Sequence, residues 1–413
     1  MTNLPPVNDP TTAEGLFEMA RQTGLRTWRL AGKELLPVVQ GGMGVGVSAG
    51  GLAGAVARLG AVGTISSVDL RRHHPDLMQR TGHLEAHPDA RALIDAANLE
   101  ALDREIRRAR SIARGFGLVA VNVMKAVSAY AAYVRQAMES GIDAVVVGAG
   151  LPLDLPDLAR EYPATALIPI LSDARGVQLL VRKWEKKGRL PDAIVIEHPR
   201  LAGGHLGAAK IADLQDRRFD FDVVIPQVLQ YFKSAGIEGR IPLIPAGGIN
   251  CADDIRRLQG LGAAAVQLGT AFAVTQECDA SPAFKQVLAQ ARPEDMVEFI
   301  SVAGLPARAV RTPWLRSYLR HEPKLQSVAQ AKKCNMAFDC LAHCGLRDGV
   351  ASMGQFCIDQ KLGEALGGDT RKGLFFRGAG KLPFGSEIRT VPELMQWLLG
   401  GIRPTTPVPE TST

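Results

Sequence analysis

His205 stands in the run Leu201-Ala202-Gly203-Gly204-His205-Leu206-Gly207. An imidazole can take up or release a proton near neutral pH. A glycine-rich loop leaves room for a ligand to reach it. A histidine on an ordinary loop is a solvated surface group; the glycines on both sides of this one favour a catalytic role. His198, earlier in the same stretch, competes for that role or serves structure.

A second signal is glycine placed where backbone must approach something flat or charged. Gln40-Gly41-Gly42-Met43-Gly44-Val45-Gly46 reads either as a flexible turn or as a surface for a ring system. A side chain at most of these positions would collide with such a ring. Ala246-Gly247-Gly248-Ile249-Asn250 and Leu268-Gly269-Thr270-Ala271-Phe272 read as a phosphate cradle. Its donors would be backbone N–H groups, the Thr270 hydroxyl and a helix N-terminus near Ala252–Asp253. Asn122 interrupts the apolar run Val121-Asn122-Val123-Met124. A polar group there needs a hydrogen-bond partner, from a bound ring edge or from an internal network. Gly148-Ala149-Gly150 again leaves space for a flat ring, and Ser172-Asp173 reads as a helix cap or a polar wall.

Four of the six cysteines cluster in the sequence, as Cys334, Cys340, Cys344 and Cys357, with His343 among them. Thiolates are preferred ligands of zinc and of iron–sulfur clusters. The C-x5-C-x3-C-x12-C spacing matches no standard metal motif. Three readings stay open: buried small hydrophobes, a zinc or Fe–S site, and a redox thiol pair.

Something must hold these loops together. Short apolar runs recur at Leu36–Gln40, Val62–Ser66, Val119–Val123, Ala144–Gly148, Ala166–Leu171, Ala193–Glu197, Pro242–Ala246 and Ala264–Leu268. Each ends in a Gly-rich or polar loop, and an amphipathic helix follows. Runs such as DAVVVGAG and DAIVIEHP are apolar at successive positions, as parallel strands buried on both faces should be. Eight such units predict an α/β fold, a (β/α)8 TIM barrel, whose active site forms at the C-terminal strand ends. An open doubly wound sheet ranks second. The expected organisation is a lead-in over residues 1–34 with a helix at about Ala13–Gln22, then the barrel over 35–275. A helical insertion at 68–117 interrupts the barrel. Its DLRRHHPDLMQRTGHLEAHPD part reads as a lid or surface insertion, and Leu99, Leu102, Ile106 and Ile112 mark a helix. A mostly helical C-terminal extension spans 276–402, and a disordered tail 403–413. Within the extension, a strand, a Gly-rich turn and a helix are expected after the cysteines. Phe375, Phe376 and Arg377–Gly380 would reach back over a bound ligand.

Composition excludes several classes. Of 413 residues, 46% are apolar and 22% charged, the balance of a globular protein with a large core. The net charge of +6 is spread along the chain rather than blocked, which argues against nucleic acid as a partner. No apolar run is long enough to span a bilayer. The N-terminus lacks a basic start and an apolar stretch, so a cytoplasmic protein with reduced cysteines is expected.

The set QGGMG, VNVM, VVGAGLP, LAGGHLG, PAGGIN and QLGTAF, in this order, resembles the nitronate monooxygenase (2-nitropropane dioxygenase) family. FMN-dependent enoyl-acyl-carrier-protein reductases belong to the same superfamily. The resemblance covers residues 35–310, and AGGH-x-G, here Ala202–Gly207, is its most specific part. It implies a barrel that holds FMN non-covalently. Gly42, Met43 and Gly44 would lie along the isoalloxazine, and Asn122 would contact the flavin or ribityl chain. Gly203 and Gly204 would flank the ring, and Gly247, Gly248, Gly269 and Thr270 would bind the phosphate. His205 would be the base or acid beside flavin N5. The implied activity is oxidation of alkyl nitronates with O2 through reduced flavin. One alternative is an NAD(P)H-dependent reductase of an enoyl thioester or quinone; another is a flavin-free barrel for a phosphate ligand. The implied partner is a small-molecule substrate, and a homodimer is compatible with the sequence. Family members often carry Glu just before AGGH, where this chain has Leu201.

Overall fold

The computed structural model describes residues 9–84, 87–334 and 336–404; most of the tail expected to be disordered lies outside them. Eight parallel strands close into a barrel. They are β1 (Val38–Gln40), β2 (Val62–Ser66), β3 (Leu118–Met124), β4 (Ala144–Gly148), β5 (Ala166–Leu171), β6 (Ile194–Glu197), β7 (Leu243–Ala246) and β8 (Val266–Leu268). The ring closes where β8 pairs with β1, Val39 standing opposite Gln267. All eight expected strands are present, and the (β/α)8 reading holds.

Side-chain alternation sorts the strand residues into two cores. Val119, Val121, Val123, Ile194 and Ile196 face outward into the layer between strands and helices. Leu118, Ala120, Ala144, Val146, Ala166, Ile168, Val195 and Ile244 face inward and fill the barrel. The lead-in supplies the floor of that interior. After the helix Ala13–Gln22, strands Trp28–Leu30 and Lys33–Leu35 pair as an antiparallel hairpin. Its Trp28, Leu30 and Leu35 pack into the inner core, and the Trp28 indole N–H donates to Leu36 O at 2.9 Å. The sequence reading had no strand there.

Helix Ala90–Ala113 forms where Leu99, Leu102, Ile106 and Ile112 marked it, and it packs on helix Gly50–Arg58 as the crossover between β2 and β3. Glu105 from this helix accepts the Gly50 N–H at 2.7 Å, and Asp279 accepts those of Ala49, Gly51 and Leu52. Two carboxylates thus satisfy an N-terminus whose dipole favours negative charge. The polar segment before this helix is no loose lid. Asp69 is fully buried, pairs with Arg71 at 2.7 Å and also binds Arg72, and Arg72 reaches Asp359 at 2.7 Å.

The main helices of the region after the barrel are Pro282–Gln290, Pro313–Ser327, Ile358–Leu366 and Val391–Gly400, joined by long irregular segments. The region also holds two unforeseen strands, β9 (Met296–Ile300) and β10 (Pro306–Val310). These form an antiparallel sheet with the two-residue strand Gly204–His205. The strand expected near Phe375 is reduced to a single bridge between Phe376 and Ala309.

Candidate active site

The inward side chain nearest the C-terminal end of each barrel strand faces one cavity. In ring order these residues are Gly41, Ser66, Asn122, Gly148, Ile170, Glu197, Ala246 and Gln267. They follow from the alternation that places Val39, Ala120, Val146, Ile168, Val195, Ile244 and Ala265 one layer below. The cavity has a volume of about 290 Å³. The residues that the resemblance assigns to catalysis and the cofactor line it: Gly42, Met43, Gly44, Asn122, Gly203, Gly204, His205, Gly247, Gly248, Gly269 and Thr270. His198 does not. It is buried, 3.3 Å from Asp220 and edge-on to Phe221, which makes it structural.

His205 is held by the region beyond the barrel. Its backbone pairs with Ala307, Gly204 pairs with Arg308, and the Leu206 N–H donates to Pro306 O at 2.9 Å. Gly204 sits at φ +71°, a conformation that glycine adopts without strain. Ser301, fully buried, lies with Oγ 2.9 Å from His205 Nε2. That oxygen also accepts the Ala303 N–H at 3.2 Å. Its second lone pair can take an Nε2 proton, which leaves Nδ1 free to accept one, or its hydroxyl can donate to Nε2, which leaves Nδ1–H as a donor. Phe376 stacks at a tilt, 5.8 Å between ring centres. Burial holds His205 down to about 4, so the ring is neutral at pH 7.

The buried Arg308 fixes the loop before His205. Its guanidinium donates to Pro199 O at 3.3 Å, to Ala202 O, and to Glu298 at 2.5 Å. Neither Ser301 nor Arg308 left a signal in the sequence, because both lie about a hundred residues from the histidine they position.

Glu197 was within reach of sequence reasoning. Parity along β6 puts Val195 inside the barrel and Glu197 above it, in the cavity wall. No hydrogen bond or ion pair holds its carboxyl among the described residues, and burial pushes it up to about 7. Gln267 lines the cavity two strands further on, and the Asn122 amide makes one long contact, to Val146 O at 3.4 Å. Both amides can therefore meet the polar edge of a bound ring. Gln40, by contrast, bonds Thr64 in both directions at 2.8 and 3.1 Å and braces the first loop.

Gly247 and Gly248 have φ of +113° and +73°, and the Leu201 side chain packs on both. Just before the helix Ala252–Gly260, Asp254 accepts the Asn250 N–H at 2.9 Å, and no side chain caps the helix. Asp253 and Asp254 in its first turn make that end less favourable to an anion. Gly247, Gly248, Gly269 and Thr270 line the cavity together. Asp173 caps the helix Ala174–Glu185 by accepting the Gly176 N–H at 2.7 Å.

The four clustered cysteines lie within electrostatic reach of one another. Cys334, Cys340, Cys344 and Cys357 are free thiols. Among the described residues no group of three or more His, Cys, Asp or Glu side chains could hold a metal ion. Burial raises the Cys357 thiol to about 11 and lifts Cys340 as well, so both are protonated as free thiols. Only Cys340 touches the cavity.

A family model described as nitronate monooxygenase matches residues 29–400. The chain belongs to the nitronate monooxygenase family. A nitronate monooxygenase of Pseudomonas aeruginosa is 31% identical over 119 residues, 29% of this chain and 31% of its own length. A Staphylococcus saprophyticus relative is 28% identical over 32% of this chain and 36% of its own. The matched stretch thus spans about a third of the curated relatives. Among solved structures, FabK from Thermotoga maritima has a TM-score of 0.58 at 23% identity, covering 88% of this chain and 91% of that one. A nitroalkane oxidase from Streptomyces ansochromogenes has a TM-score of 0.59 at 20% identity, covering 89% and 95%. Both likenesses establish the barrel fold. Among the described residues no helix is long and apolar enough to cross a membrane.

Proposed function

We propose that this family member is an FMN-dependent oxidoreductase that oxidises alkyl nitronates with O2. One observation carries the reading: the glycine loops after β1, β6, β7 and β8 and the imidazole of His205 open on a single cavity. The residues present fit FMN. Backbone without side chains lines one side, the amides of Asn122 and Gln267 line the interior, and a cradle of glycines and Thr270 suits a phosphate. When bound there, FMN would supply the redox chemistry, taking electrons from the substrate and passing them to O2.

The chain's own residues bind, orient and handle the proton. Gly42, Met43 and Gly44 present backbone to the ring, and Asn122 and Gln267 present amides to its polar edge. Gly247, Gly248, Gly269 and Thr270 receive the phosphate, with Gly203 and Gly204 beside the reacting end. His205 is neutral and backed by the Ser301 hydroxyl. It can accept a proton from an acidic C–H, or donate its own N–H to a nitro oxygen. Glu197 is the second group in the wall able to exchange a proton near neutral pH. Met124, Val127, Leu341, Ile358 and Leu362 line the cavity with apolar surface, which suits a small alkyl substrate and limits water.

The test is to record the visible spectrum of the purified protein, then mix it anaerobically with a nitronate, NADH or NADPH. A yellow protein bleached by nitronate is expected. Bleaching by NADH or NADPH but not by nitronate would replace this reading with a nicotinamide-driven reductase. A colourless protein that takes up no FMN would leave only a flavin-free phosphate-ligand barrel.

A further inference from the structure

The wall next to the glycine cradle is not made by the barrel. Residues Arg377–Lys381 lie across it. The Gly378 N–H donates to Thr270 Oγ1 at 3.0 Å, across 108 residues of chain. The Ala379 N–H donates to Leu201 O at 3.1 Å. A Cβ on Gly380 would stand 3.3 Å from Gly248 Cα, and one on Gly203 would stand 2.4 Å from the Arg377 carbonyl carbon. Arg377, Gly378, Gly380 and Lys381 all line the cavity beside Gly247, Gly248, Gly269 and Thr270.

This segment brings charge that no carboxylate among the described residues neutralises. Arg377 is 5% exposed. Its Nε donates to Leu288 O at 2.9 Å, and its Nη1 to Gly378 O at 2.9 Å and Gly380 O at 3.4 Å, with Met296 Sδ at 4.0 Å. All the oxygen partners are neutral carbonyls, and no carboxylate pairs with it among the described residues. A buried cation in that position carries an uncompensated desolvation cost, which a bound anion would offset. Lys381 is exposed at the rim and makes no hydrogen bond or ion pair among the described residues. The two carboxylates in the cavity wall do not answer these cations: Asp359 is paired with Arg72 at 2.7 Å, and Glu197 makes no ion pair.

We infer that Arg377 and Lys381 supply the positive charge for the phosphate arm of the cofactor, so that the C-terminal segment completes a site the barrel only begins. This rests on the FMN reading above. It predicts selectivity for the phosphorylated flavin, because neutral N–H donors alone discriminate less than a charged pair.

The experiment titrates flavin-stripped full-length protein with FMN and with riboflavin, following the quenching of flavin fluorescence. Wild type should bind FMN more tightly than riboflavin. Arg377→Met should weaken FMN roughly 10- to 100-fold and leave riboflavin nearly unchanged. Lys381→Met, at an exposed position, should weaken FMN roughly three-fold and flatten its salt dependence. Equal weakening of both flavins by Arg377→Met would overturn the inference and make the residue a packing element. Should that variant not fold, Lys381→Met decides: an unchanged FMN-to-riboflavin ratio and salt response would overturn it. A wild type that binds both flavins equally overturns the phosphate assignment alone. One that binds neither overturns the FMN reading, and this inference with it.

Discussion

The barrel rim and the C-terminal region meet the same cavity in opposite ways. The rim offers mostly backbone, through Gly41–Gly44, Gly203–Gly204, Gly247–Gly248 and Gly269. The C-terminal region offers side chains, among them Phe376, Arg377, Lys381, Leu374 and Ile358. It also supplies Ser301 and Arg308, which hold the histidine loop from behind. Backbone contact demands glycine at fixed positions, so the rim is legible as motifs and built to accept one shape. Side-chain contact tolerates many residue types, so the C-terminal wall is free to set charge and selectivity. His205 is where the two meet, on a rim loop paired strand to strand with Ala307.

The largest effect should come at that junction. His205→Ala removes the proton-handling group and leaves the glycine surfaces intact. Turnover should fall about 10²- to 10⁴-fold, while the bound flavin and its visible spectrum stay. A variant that turns over normally would take the rim's histidine out of the mechanism.

Gly203→Ala attacks the contact between the two regions rather than either one. The new Cβ would stand 2.4 Å from both the Arg377 carbonyl carbon and the Gly378 nitrogen. Backbone on both sides cannot yield as a flexible side chain would, so the segment 377–381 must shift. The expected cost is about 1–3 kcal/mol in thermal or denaturant unfolding, with weakened FMN binding. Unchanged stability and affinity would show that the C-terminal wall is a loose cover.

How much of this was readable in advance follows the same division. The eight strands were legible because burial on both faces gives continuous apolar runs, and the motif glycines because function after a strand end needs them. The hairpin Trp28–Leu30 and Lys33–Leu35 was hidden by its length of three residues per strand and by its mixed composition. Strands β9 and β10 were hidden because their partner is a two-residue strand about a hundred residues away. Glu197 was overlooked although parity along β6 placed it, because a fully apolar run suggests no inward face until a polar residue is counted along it. The cysteines went the other way: closeness in sequence suggested a shared ligand, yet among the described residues no group of side chains could hold a metal ion.

Arg308→Met tests whether the C-terminal region positions the rim loop or only covers it. The change removes donors to Pro199 O and Ala202 O and leaves Glu298 without its partner. Loss of about 2–3 kcal/mol of stability is expected. Positioning predicts more: kcat should fall while KM for the nitronate holds, and Arg308→Lys should restore part of kcat. A stability loss with kcat unchanged would reduce Arg308 to packing.

A pH-dependent effect is expected at Glu197, and its sign can be worked out. A carboxyl whose folded value is raised from 4.5 to about 7 favours the protonated form in the folded state. As pH climbs past 4.5, the unfolded chain ionises first and the folded state loses stability relative to it. The loss levels off above pH 7, where both states are ionised, at about 3 kcal/mol as an upper bound. Glu197→Gln removes that penalty. The variant should match wild type near pH 4 in thermal unfolding of the flavin-free protein and exceed it above pH 7, the gap opening between the two. A gap independent of pH would mean that the carboxyl is solvated and titrates normally. It would then be no proton donor for the cavity near neutral pH, and His205 would be left as the sole proton-handling group in the proposed mechanism.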